Sequence, residues 1–371
     1  MEPIVIARAP LSINLANHEE GPPDRLGQRQ RQVIQAAINY YTYTIITNGP
    51  GHTAQIIWSG CPACTSGHCR CAPESAVELN LPHTISQKLK IRGGLTVFLA
   101  PQLPIGSGLG LSGSLCVSMI KALAFCSGVD LEPTEVAELA QEVELDLLEC
   151  PVASTDSYAA ALGGVNLIGL QAHRVSIEAI TLSPEMRQGL EKSLMLFRVT
   201  DTDAESSLNH CTEESEAQPF GTLPKKRFVE EKAAWRRRVR MALETGDLAT
   251  FGQVLKEAWT TEPQRLECGP NLLLNQCYHT AREHGALSRL GCPMPGPNFL
   301  ALFCQQENQP GVTAALADLG ADRWPLRLVS QGVEVLEAIP RAWARLAAAQ
   351  PFPEMDTITG SGGNASQSPS W

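Results

Sequence analysis

Residues Pro104-Ile105-Gly106-Ser107-Gly108-Leu109-Gly110-Leu111-Ser112-Gly113-Ser114 constrain the fold more than any other stretch. The apolar residues just before them, 95–99, read as a strand. Just after them, Cys116, Met119, Ile120 and Leu123 recur at helical spacing, so residues 113–125 read as a helix, with Gly128 just past its end. The segment is therefore a strand-to-helix turn. Its three alternating glycines let the backbone approach a bulky anion and turn several N–H groups toward it. The helix that follows adds its unpaired N–H groups and the positive end of its dipole. Ser112 puts a hydroxyl where a phosphate-bound metal ion would lie. No Gly-Lys-Ser/Thr follows, so this is not a Walker loop. The spacing is also wrong for a dinucleotide fingerprint, and no ribose-binding carboxylate follows. The bland alternative is a flexible turn.

A chain of 371 residues, at roughly 150 per domain, makes two domains or one large one. Residues 4–15 read as a strand punctuated by Pro10, and 20–31, with Gly21, Pro22 and Pro23, as a loop. Residues 37–47 alternate Tyr41, Tyr43 and Ile45 against Thr42, Thr44 and Ile46, a strand pattern. Short strands are expected at 54–58 and 76–81. A helix over 133–148 opens on Pro133 and carries the stripe Val136, Leu139, Ala140, Val143 and Leu147. A short helix at 158–162 and a strand at 165–170 follow. A second region begins with a strand at 194–199. It continues through an acidic loop at 204–223, helices at 228–244, 249–259 and 272–284, a strand at 299–304 and a helix at 311–318. This mixture predicts an α+β chain with a break near 185–205. The last twenty residues, rich in Gly, Ser and Pro, read as disordered.

Composition narrows the function classes. Lys plus Arg is 29 and Asp plus Glu is 39, giving a net charge of −10. Such a chain is a poor general binder of nucleic acid or of an anionic membrane. No apolar run approaches the ~18 residues of a membrane helix. The first nine residues lack the basic start and apolar core of a signal peptide, so a cytoplasmic protein is expected. Eight of the 12 cysteines (Cys116, Cys126, Cys150, Cys211, Cys268, Cys277, Cys292 and Cys304) are scattered through the chain and read mostly as small buried thiols. The other four, Cys61, Cys64, Cys69 and Cys71, crowd one loop with His68 and could complete a zinc tetrahedron. A redox-active loop and an incidental insertion remain open. Residues 225–240 hold eight Lys and Arg side chains. They read either as a solvated helix face or as a surface for a phosphate-bearing substrate or acidic partner.

The glycine segment resembles the nucleotide-binding loop of the GHMP kinases, commonly Pro-x-Gly-x-Gly-Leu-Gly-Ser-Ser-Ala. Leu111, Gly113 and Ser114 depart from that pattern, whereas Ser112 matches its second serine. The resemblance runs over about residues 4–335. Arg8-Ala9-Pro10-Leu11, Ala36-Ala37-Ile38-Asn39-Tyr40, Asp156-Ser157-Tyr158-Ala159-Ala160-Ala161-Leu162-Gly163-Gly164 and Gly246-Asp247-Leu248 with Phe251, Gly252 and Trp259 are most similar to the D-glycero-D-manno-heptose 7-phosphate kinase branch. The resemblance implies a ribosomal protein S5 domain 2-like N-terminal domain over 1–190. It also implies a ferredoxin-like C-terminal domain over 191–350, with 351–371 as a tail.

By the same resemblance, ATP lies on Pro104, Gly106, Ser107, Gly108, Leu109, Gly110, Ser112 and Gly113. Magnesium is held by Ser112 and Glu144. Asp156 orients or deprotonates a hydroxyl of a sugar or sugar phosphate. Read from the residues alone, Asp156 is better explained as a helix N-cap. Glu144 reads as one more solvated charge among Glu135, Glu138, Glu142 and Asp146. Three departures leave a second reading open, a non-catalytic GHMP kinase-like protein that binds nucleotide or a partner. Ser12 stands where the family has a cation that pairs with the catalytic aspartate, and Arg8 is four residues upstream. Asn17-His18-Glu19-Glu20 replaces the residues that usually follow. Gly291-Cys292-Pro293-Met294-Pro295-Gly296-Pro297-Asn298-Phe299 replaces a glycine motif, and its prolines fix φ and remove N–H donors.

Overall fold

The computed structural model describes residues 4–20, 30–48, 55–58, 85, 95–104, 107–148, 155–171, 174–199, 226–261, 272–290 and 299–338. The expected strand at 76–81, the acidic loop 204–223, the cysteine loop 61–71, the motif at 291–298 and the C-terminal tail lie outside them.

Two sheets organise the described residues. The first has seven strands: β1 (Ile4–Glu20), β2 (Gln30–Asn48), β3 (Gln55–Trp58), β4 (Leu95–Pro101), β5 (Val165–Gln171), β6 (Arg174–Ala179) and β11 (Glu334–Ala338). The order is β11-β1-β2-β4-β3, with β5 on the other half of β2 and β6 beyond it. The second sheet is antiparallel, in the order β10-β7-β9-β8, from β7 (Leu194–Val199), β8 (Ala286–Leu290), β9 (Phe299–Cys304) and β10 (Ala321–Trp324). The helices are α1 (Leu111–Cys126), α2 (Pro133–Leu148), α3 (Asp156–Leu162), α4 (Pro184–Ser193), α5 (Lys226–Thr245), α6 (Leu248–Thr261), α7 (Leu272–Glu283) and α8 (Gln309–Ala317). The α+β class is as expected.

The expected loop at 20–31 is shorter than its glycine and prolines imply. β1 runs to Glu20 and β2 starts at Gln30, and the two pair along almost their whole length. Each strand has two regimes. Residues 4–9 and 39–47 alternate buried and half-buried, so one face meets the core and the other meets solvent. Residues 10–16 and 33–38 are buried on both faces. The change coincides with the register shift between Pro10 and Leu11. Along 41–46 the threonines face inward, not the tyrosines. Helix α1 packs there, and Thr44 Oγ1 lies 2.9 Å from Ser118 Oγ.

One core lies between the first sheet and helices α1 to α3. It joins Val5, Ala7, Val97 and Leu99 to Leu115, Met119, Val136 and Val143. A second core joins the two sheets, with Leu11, Ile13, Ile34 and Ile38 packed in one cluster with Leu196, Phe251, Phe299 and Phe303. Helices α7 and α8 cover the rest of the second sheet through Leu274, Tyr278, Val312 and Leu316.

Strand β11, which the sequence division assigns to the second unit, pairs with β1 and completes the first sheet. The chain just before it is stitched to the first unit. Val329 N donates to Ala37 O (3.0 Å), Gly164 N to Val329 O (2.9 Å) and Val333 N to Ala161 O (3.1 Å). A Cβ on Gly332 would lie 2.0 Å from Ala161 O, so no side chain fits at this approach.

Five elements carry little sequence signal: β6, α4, β8, β10 and β11. Helix α4 explains why. It has an N-cap, Ser183, whose Oγ accepts from Met186 N at 3.1 Å, and a proline in its first turn. Yet its buried apolar residues are only Met186 and Leu190, too narrow a stripe to read. Of the scattered cysteines, Cys116, Cys126, Cys277 and Cys304 are buried free thiols, as expected. Burial pushes the Cys126 thiol up to about 12. Cys150, Cys211, Cys268 and Cys292 lie outside the described residues.

Candidate active site

Strand β4 feeds the glycine segment, and α1 begins directly after it. Leu103, Leu109 and Leu111 are buried in the core that joins the sheets, so the turn is anchored by leucines and its glycines are left to shape the backbone. This explains Leu111, which departs from the family's serine. Gly108 (φ 69°) and Gly110 (φ 71°) are in the left-handed region that favours glycine. Gly110 is the N-cap of α1, and among the described residues no side chain caps that end. The first-turn N–H groups are thus the donors an anion would meet. Ser107 is buried and its hydroxyl has no partner among the described residues. Pro104 is exposed, and Gly106 lies outside the described residues.

Close approach brings this turn to the second carboxylate-bearing helix. A Cβ at Gly110 would sit 2.7 Å from Ser12 Oγ and 3.3 Å from Asp156 Cγ. One at Gly113 would sit 2.6 Å from Ser157 N. Gly113 therefore lets α1 touch the start of α3, where Asp156 is held. Asp156 is not an N-cap: Thr155 occupies that position, and Asp156 is the first helical residue. There its charge is favoured by the helix dipole. Its Oδ1 accepts from Gln35 Nε2 at 2.5 Å.

Glu144 is not a solvated charge. It is 2% exposed, on the buried side of α2 with Val136, Ala140 and Val143, whereas Glu138 and Glu142 are exposed. Ser157 Oγ donates to Glu144 Oε2 at 2.9 Å. Burial raises the Glu144 carboxyl to about 7, and the Asp156 charge pushes the same way. Hydrogen bonds from Ser157 and Ser112 pull against them. Tyr158 OH donates to Gln141 Oε1 at 2.8 Å and ties α3 to α2. Ser112, Glu144, Ser157 and Asp156 thus converge beside the glycine turn.

Arg8 does not supply a cation to this cluster. Its guanidinium bonds Glu334 (Nε to Oε1, 2.8 Å) and stacks 4.4 Å over the Tyr41 ring. In the basic stretch, Arg238 pairs with Glu257, and Arg240 with Glu178 and Glu244. These cations are spent within the chain. His18 and Glu19 fall on β1, and their side chains are not described.

Sequence reasoning missed Gln35 and Ser157. Gln35 is the lone amide in the apolar run Val33-Ile34-Gln35-Ala36-Ala37-Ile38, a signal that could have found it. Ser157 carried none beyond its neighbour.

Residues 76–164, which include the glycine turn, Glu144 and Asp156, match the family model for the GHMP kinases N terminal domain. This stretch is a GHMP kinase N-terminal domain. Among curated relatives, the chain is 29% identical over 218 residues to a D-glycero-alpha-D-manno-heptose 7-phosphate kinase of Campylobacter jejuni, 58% of this chain and 62% of that one. It is 37% identical over 86 residues to a mevalonate kinase of Thermococcus sibiricus, 23% and 25% of the two chains. It is 25% identical over 195 residues to a galactokinase of Halalkalibacterium halodurans, 44% and 48% of the two. The matches span less than two thirds of each relative's length. Among solved structures, a D-glycero-D-manno-heptose 1-phosphate kinase from Bacteriodes thetaiotaomicron superposes with a TM-score of 0.65 at 21% identity, covering 90% of this chain and 99% of that one. A Lactococcus lactis galactokinase complexed with galactose gives 0.60 at 16% identity, covering 90% and 95%. These likenesses establish the GHMP kinase fold along the chain. A mevalonate diphosphate decarboxylase from Enterococcus faecalis shares it too, with a TM-score of 0.58 at 14% identity over 91% of this chain and 100% of that one. The fold alone therefore does not decide the reaction.

One consequence of the turn's geometry is testable. Gly108→Val should abolish nucleotide binding, because its side chain occupies the surface a phosphate must approach. The positive φ adds a cost of about 1–2 kcal/mol, so the variant should stay folded but melt earlier. Titration with a fluorescent ATP analogue, alongside a thermal melt, checks both. Parental affinity in a folded variant would put the nucleotide elsewhere.

Proposed function

We propose that this protein is an ATP-dependent kinase acting in the cytoplasm, transferring the γ-phosphate to a hydroxyl of a sugar or sugar phosphate. The observation that carries this reading is the juxtaposition of the glycine turn with Ser112, Glu144 and Asp156. The turn's N–H groups and the hydroxyls of Ser107 and Ser112 bind and neutralise phosphate charge. Asp156 orients the acceptor hydroxyl. The hydroxyl oxygen bonds to the γ-phosphorus as the bridge to the β-phosphate breaks, ADP leaves with that electron pair, and the hydroxyl proton passes to Asp156.

Magnesium fits the residues present. Glu144 Oε1 is buried without a partner among the described residues, and the Ser112 hydroxyl reaches the same carboxylate. Those two residues would hold the ion, which when bound screens the phosphate charges. We read the chain as two domains, 1–190 and 191–350, with β11 returning to the first. The relatives' names define the acceptor panel: D-glycero-D-manno-heptose 7-phosphate and 1-phosphate, galactose and mevalonate. Transfer of labelled phosphate from ATP to one of the first three supports the reading. Transfer to mevalonate alone, or to none, removes it.

The second reading, a nucleotide-binding protein without transfer, is favoured by Ser12, which brings no cation to the turn. Tight ATP binding with no transfer to any acceptor would establish it.

A single zinc ion at Cys61, Cys64, Cys69 and Cys71 is a separate proposal resting on ligand type and spacing. No group of three or more ligating residues occurs among the described residues, and these four lie outside them. Purified protein should then carry about one equivalent of zinc, lost on Cys64→Ser. Metal-free protein with four titratable thiols in the loop would end the proposal.

A further inference from the structure

Residue 12 carries no charge, yet Asp156 is held from the same sheet face by a neighbouring strand. Asn14 on β1 and Asn166 on β5 flank Gln35 of β2 as its direct cross-strand partners. The three amides thus form a row on one face of the sheet. Asn166 is tied to the turn after α3, Nδ2 donating to Gly163 O at 2.6 Å. Gln35 is 1% exposed and donates to Asp156 Oδ1. A carboxylate only accepts, so the amide nitrogen must face it, which leaves Gln35 Oε1 buried without a partner among the described residues. Burying an acceptor unmatched is costly. Its strand neighbours Val33, Ile34, Ala36 and Ile38 are all buried and apolar. The amide therefore works against stability, as groups that serve an active site often do.

We propose that Gln35 is the positioning residue for Asp156, its amide fixing the carboxylate toward the acceptor hydroxyl from β2 in a role that a cation from β1 could also fill. This rests on the kinase reading. Ser12 Oγ and Asp156 Cγ both lie within 3.3 Å of the same point beside Gly110, so a long side chain at position 12 reaches Asp156. Gln35 bonds Asp156 and is not among the nearest neighbours of Gly110 or Gly113, so its loss should spare nucleotide binding.

The test uses the full chain, ATP and D-glycero-D-manno-heptose 7-phosphate. Gln35→Ala should lower kcat tenfold or more while KM for ATP stays within twofold. Ser12→Arg added to Gln35→Ala should recover most of that loss. A filler of the core could not be replaced by a charge from another strand. The proposal is overturned if Gln35→Ala keeps kcat within twofold of the parent, or if Ser12→Arg fails to rescue a folded double variant. Thermal melts of Gln35→Ala, Asp156→Ala and their combination provide a readout independent of turnover. Non-additive shifts support the contact, and additive shifts overturn the proposal. If the parent transfers phosphate to no acceptor while the melts are non-additive, the kinase reading falls and the Gln35–Asp156 contact stands.

Discussion

Asp156→Asn is expected to give a folded protein that binds nucleotide normally and transfers phosphate ~10²–10⁴-fold more slowly, the usual cost of losing a positioned base. The substitution keeps the side chain's shape and an oxygen that can still accept from Gln35. It removes the negative charge at the first position of α3, which costs about 0.3–1 kcal/mol of dipole interaction. Thermal stability should therefore change little. Because Thr155, not Asp156, is the N-cap, a large loss of stability is not expected, and a loss of turnover cannot be assigned to a broken cap. The check is kcat at saturating ATP and acceptor, with nucleotide affinity and the melting temperature measured on the same preparation. Turnover within tenfold of the parent would remove Asp156 from the chemistry.

The second large effect belongs to Glu144 and appears without any substrate. Burial is the leading cause of its raised carboxyl, which titrates at about 7 in the folded chain against 4.5 for an ordinary glutamate. Between those values the folded state keeps a proton that the unfolded state has released. Stability from this group is thus complete below pH 4.5 and is lost as pH rises toward 7, by on the order of 3 kcal/mol. Glu144→Gln is uncharged throughout and cannot show that slope. Urea unfolding of magnesium-free protein in EDTA, from pH 4.5 to 7.5, should show the parent losing stability relative to Glu144→Gln across this window. Parallel pH profiles for the two proteins would mean that Glu144 titrates as a solvated acid.

The site's parts differ in how legible they are. The glycine turn can be read because backbone geometry restricts which residues can stand there, and Gly108 and Gly110 do take positive φ. Helices α1 and α2 are broad apolar stripes, and both emerge close to their expected bounds. Glu144 is harder. Its spacing is that of a surface charge, and only the packing of α1 and α3 against α2 reveals its burial. Gln35 is harder still, because its meaning depends on a contact between residues 121 apart. Strands β10 and β11 are short, and neither Asp322-Arg323 nor Glu334 marks a buried strand; they exist because longer strands offer them an edge.

The return of β11 to β1 has a consequence for synthesis. Residues 328–338 brace the segment that holds Asp156, through Ala161, Gly163 and Gly164, and they supply the edge partner of β1. A ribosome adds about 5–20 residues per second, so the nascent chain carries the Asp156 helix for on the order of ten to forty seconds before its last brace emerges. Throughout that interval the β1 edge is open to pairing with other chains. The first half of this protein is thus translated early but finished last, and the step that completes its active site is also the step that covers this edge of β1.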